Sequence, residues 1–94
     1  MVRQRVVVGS IGDGEEAGRA AQRLRDEGQE VVLVGGFQTP EQLVRALIAE
    51  DAATLMVDGD AGSRARITEL CTQLGAGDVV VRPLDVRPGA PRSP

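Results

Sequence analysis

The sequence predicts an α/β domain, an open parallel sheet of about four strands in the order 2-1-3-4 with helices between the strands. Three observations predict it: short valine-rich runs recur along the chain, each is followed by a segment of helical period, and Gly, Pro or Asp marks the joints. The first strand is Arg5 to Gly9 ("RVVVG"), and the helix after it spans about Gly14 to Glu27, with Ala17, Ala20, Ala21 and Leu24 on one face. Gly28 ends that helix. "EVVLVGG", Glu30 to Gly36, is the second strand, a continuous apolar run of the kind found where both faces of a sheet are covered. Thr39-Pro40-Glu41-Gln42 then makes a capping box with proline in the first turn, so the second helix starts at Pro40 and turns Leu43, Val44, Leu47 and Ile48 inward. "ATLMVD", Ala53 to Asp58, is the third strand. The third helix runs from about Gly62 to Leu74 with Ile67, Leu70, Cys71 and Leu74 inward, and "DVVVR", Asp78 to Arg82, is the fourth strand. A single domain is expected over residues 1–86, and residues 87–94 ("RPGAPRSP") are expected to be a disordered Pro/Arg tail.

Right-handed crossovers place the first helix on one face of such a sheet and the other two helices on the opposite face. The side of strands three and four that shares the first helix's face then has no helix of its own. An uncovered apolar patch there, next to a free edge at strand four, predicts a homodimer or a tight protein partner. A chain of 94 residues can bury only a modest core, which points the same way.

Composition removes several function classes. The net charge of -3, with 14 acidic and 11 basic residues in mixed order, has no basic stripe for nucleic acid and no polybasic patch for a membrane. All cations are arginine, so lysine Schiff-base chemistry and a lysine-anchored phosphate site are excluded. One cysteine, Cys71, has no disulfide partner and reads as a small buried hydrophobe in a reducing compartment, so a cytoplasmic location is expected. No apolar stretch approaches the roughly 20 residues of a membrane span, and the first residues lead into a strand.

In open parallel sheets ligands sit beyond the carboxyl ends of the strands where strand order reverses, here between strands one and three. The loops Gly9 to Gly14 ("GSIGDG") and Asp58 to Ser63 ("DGDAGS") meet there and gather Ser10, Asp13, Glu15, Asp58, Asp60 and Ser63. Converging carboxylates recruit a hard cation or raise one another's pKa, which makes Asp13, Glu15, Asp58 and Asp60 candidates for acid/base or metal chemistry, with Arg64 as an anion contact. Plain structural duties compete with that reading: Asp13 stands where an N-cap belongs with Glu16 three positions on, and Asp60 or Ser63 can cap the third helix. Gly9, Gly12 and Gly14 lack the spacing of a dinucleotide loop. A receiver-type acceptor at Asp58 would require a lysine after a fifth strand, and the chain has neither.

"GDGEEAGR" (Gly12 to Arg19) and "GGFQTPEQLVRALIAEDA" (Gly35 to Ala52) resemble the cobalamin-binding domain of methylmalonyl-CoA mutase and related acyl-CoA mutases, over about Arg5 to Val81. The resemblance implies a flavodoxin-like, cobalamin-binding-like fold, C-terminally truncated here. In the family's D-x-H-x-x-G motif the histidine coordinates cobalt from below, the aspartate hydrogen-bonds that histidine and the glycine allows close approach. Asp13 and Gly18 keep their places in this sequence, but Glu15 stands at the histidine position and the chain contains no histidine. The family's small, hydroxyl-rich loop after strand three is replaced by Asp58 and Asp60, and its Gly-Gly turn after strand four by Arg82-Pro83. These positions (Asp13, Glu15, Gly18, Asp58, Asp60 and Arg82) read as a degenerate cofactor site, with no cofactor and no metal expected.

Three functions compete. The first is a degenerate cobalamin-binding-like domain that acts as a non-catalytic dimer or partner-bound subunit. The second is a small-molecule enzyme that reuses the emptied site, favoured if its carboxylates converge in a closed pocket. The third is a mutase small subunit that carries cobalamin without a lower histidine ligand.

Overall fold

A computed structural model describes residues 5–84, so the expected tail lies outside the described residues. Four strands and three helices alternate: β1 (Arg5–Gly9), α1 (Glu15–Asp26), β2 (Glu30–Gly35), α2 (Pro40–Ala49), β3 (Thr54–Val57), α3 (Ala61–Gln73) and β4 (Val80–Pro83). All strands are parallel, in the order β2-β1-β3-β4, as the sequence predicts. β4 starts two residues later than expected because Val79 donates its N–H to Ala76 and closes a turn through Gly77 and Asp78.

Alternation along the strands sorts the core into two layers. Val7, Leu55 and Val57 face α2 and α3 and pack with Leu43, Val44, Leu47, Ile67, Leu70 and Cys71. Val6, Val8 and Met56 face α1, whose Ala17, Ala20 and Ala21 let the helix lie close against the sheet. The capping box at Thr39 forms as the sequence predicts: Gln42 N–H reaches Thr39 Oγ1 at 3.1 Å and Thr39 N–H reaches Gln42 Oε1 at 2.8 Å. At the amino end of the sheet, Arg5 bridges Glu30 at 2.9 Å and the main-chain carbonyl of Glu50 at 2.9 Å, tying β1 to the start of β2 and the end of α2.

Some expectations are corrected. Ile48 is 48% exposed and Leu74 is 56% exposed, although both share the apolar period of their helices. Ile48 sits in the last turn of α2, and Leu74 is the C-cap of α3, where the backbone leaves the helix. β2 is half-buried because it is an edge strand. The α1-side face of β3 is not bare either: Met56 and Leu84 are both buried in the α1 cluster. The uncovered surface shrinks to β4, where Val80 is 53% exposed and Arg82 is exposed beside it.

Candidate functional site

At the carboxyl ends of the strands, three loops are bonded into one rim. Ser10 follows β1 and is almost wholly buried. Its N–H donates to the Gly35 carbonyl at 3.0 Å, and its own carbonyl accepts from Gln38 N–H at 2.9 Å. The Gly12 carbonyl accepts from Phe37 N–H at 2.6 Å, so the first loop is pinned along the β2–α2 loop. Gly36 makes that approach possible, since a Cβ there would lie 2.5 Å from the carbonyl carbon and oxygen of Asp13.

The other side of the first loop is held by one carboxylate. Asp58, at the end of β3, accepts from Ser10 Oγ at 2.6 Å, Ile11 N–H at 2.7 Å and Gly12 N–H at 3.3 Å. The loops after β1 and β3 are thereby stitched together at the strand-order reversal.

The remaining sequence-predicted residues are spread around this rim. Asp13 is exposed and accepts from Glu15 N–H at 3.0 Å; the N-cap of α1 is Gly14, in the left-handed region at φ 88°, so the capping box expected between Asp13 and Glu16 is not formed. Glu15 is exposed and lies 3.8 Å from Arg19, one turn along the helix. Asp60 caps α3 as expected, accepting from Ser63 N–H at 2.8 Å, and this hydrogen bond holds its carboxyl below the usual carboxylate range. Arg64 donates back to the Gly59 carbonyl at 3.1 Å. Arg82 stands on the exposed face of β4.

Only part of the expected cluster shares a cavity. A pocket of about 310 Å³ opens between the start of α1 and the ends of β3 and β4, lined by Glu16, Val57, Asp58, Arg64, Pro83 and Leu84. It contains Asp58 and Arg64 but not Asp13, Glu15 or Asp60. Among the described residues no three His, Cys, Asp or Glu side chains converge as a metal-holding group. Sequence reasoning missed Glu16, Gly36 and Phe37. The Gly35-Gly36 pair ahead of the lone aromatic was the available signal; Phe37 is 76% exposed with its backbone at φ 55°, a conformation that side-chain-bearing residues rarely adopt.

Gly18 sits inside α1, and a Cβ added there would meet no atom within 4 Å. Packing within this chain therefore does not require a glycine, although glycine weakens a helix interior. Gly18→Ala is expected to raise stability by roughly 0.5–1 kcal/mol in urea unfolding. A loss of stability would show that something within the chain does need the space.

The fold matches that of solved proteins. A crystal structure of a cobalamin-binding protein from Desulfitobacterium hafniense DCB-2 superimposes with a TM-score of 0.72 at 11% sequence identity, covering 92% of this chain and 47% of that one. The class is thus the flavodoxin-like, open parallel α/β domain. No family model matches the sequence. The small subunit of 2-hydroxyisobutanoyl-CoA mutase from Aquincola tertiaricarbonis is 36% identical over 84 residues, covering 82% of this chain and 62% of that subunit's length. The chain is thus a cobalamin-binding-like α/β domain related to that small subunit, and it spans about 62% of the subunit's length.

Proposed function

We propose that this domain has given up the cobalamin of its family and works as a non-catalytic subunit in a dimer or with a protein partner. The Asp58 carboxylate carries the reading. Its three hydrogen bonds draw the loops after β1 and β3 together, and the loop after β3 is the one that the family resemblance assigns to the cofactor's nucleotide tail. The other residues do not fit the group either. Glu15 supplies an oxygen where the family's motif needs an imidazole nitrogen, no histidine exists elsewhere in the chain, and Leu84 fills the α1-side layer at the end of β4.

A partner subunit is supported by the relative, which is the small subunit of a mutase. A reducing, cytoplasmic setting is supported by the lone buried thiol of Cys71, which burial pushes above its ordinary pKa. No helix among the described residues is long and apolar enough to cross a membrane. Reuse of the rim for acid/base chemistry has less support, because Asp13, Asp58 and Asp60 are each engaged by main-chain N–H groups.

Titration with hydroxocobalamin and adenosylcobalamin tests the proposal. The expected result is an unchanged cobalamin absorption spectrum and an unchanged melting temperature at ligand concentrations of about 100 µM, since any ligand selective for the native state raises its apparent stability. A spectral shift saturating at micromolar ligand would overturn the reading in favour of a cobalamin carrier without a lower histidine.

A further inference from the structure

We draw no further inference here: the strongest candidate, the cavity of about 310 Å³ at the amino ends of β3 and β4 with Ile48, Leu74, Asp51 and Asp78 around it, carries nothing because nothing in the structure shows what covers it.

Discussion

Replacing Asp58 by alanine is expected to destabilise the domain by about 3 kcal/mol, a large share of what a small domain has. The carboxylate accepts from Ser10 Oγ, Ile11 N–H and Gly12 N–H. Alanine leaves the Ser10 hydroxyl, almost wholly buried, without its acceptor, in a chain where no buried side-chain N or O among the described residues lacks a partner. Hydrogen bonds to a charged acceptor contribute more than neutral ones, and the orphaned donor adds its own desolvation cost. Asp58→Asn separates charge from shape: one oxygen can still accept, but an NH₂ group then meets the Gly12 N–H, so an intermediate loss is expected. Urea unfolding of the three proteins checks this. An alanine variant within about 0.5 kcal/mol of the parent would mean that the rim is held by the β2–α2 loop alone.

Gly36→Ala is expected to cost about 2 kcal/mol, through collision rather than lost bonding. The added Cβ falls 2.5 Å from the carbonyl carbon and oxygen of Asp13 and 2.9 Å from the Gly12 oxygen. These are backbone atoms and have no rotamer with which to move aside. Relief requires the first loop to lift away, which stretches the 2.6 Å bond from Phe37 N–H to Gly12. The neighbouring Gly35→Ala is a fitting control. A Cβ there meets nothing within 4 Å, but the backbone sits at φ 85°, so that variant loses about 1 kcal/mol for conformational reasons only. The two are distinguished by amide hydrogen exchange at Phe37, expected to quicken sharply in Gly36→Ala and little in Gly35→Ala. Equal behaviour would show that the loops are not wedged at Gly36.

Most of the fold was legible because its signals are local. The capping box at Thr39, the Asp60 cap and the valine runs each occupy a few adjacent residues, and right-handed crossovers then fix the strand order. Burial at helix ends was not legible. Ile48 and Leu74 obey the apolar period, but period alone cannot tell whether the neighbouring layer extends that far. The site divided in the same way. That Ser10 and Asp58 would meet followed from the fold, whereas the roles of Asp58 as a three-donor acceptor and of Gly36 as a spacer depend on side-chain and backbone approaches between distant residues. Strand-order reversal brought the loops after β1 and β3 together, and what their carboxylates do had to be read from their hydrogen-bond partners.

The two ends of β1 are fastened differently from the outer strand, and this grades the molecule from rigid to labile. Arg5 anchors the amino end of β1 to β2 and α2, and the Ser10–Asp58 pair anchors its carboxyl end to β3. β4 has four residues and, among the described residues, a single neighbouring strand and no comparable fastening. Spontaneous opening therefore begins at β4 while the β2-β1-β3 unit stays closed, so proteases and misfolding partners first gain access at this margin.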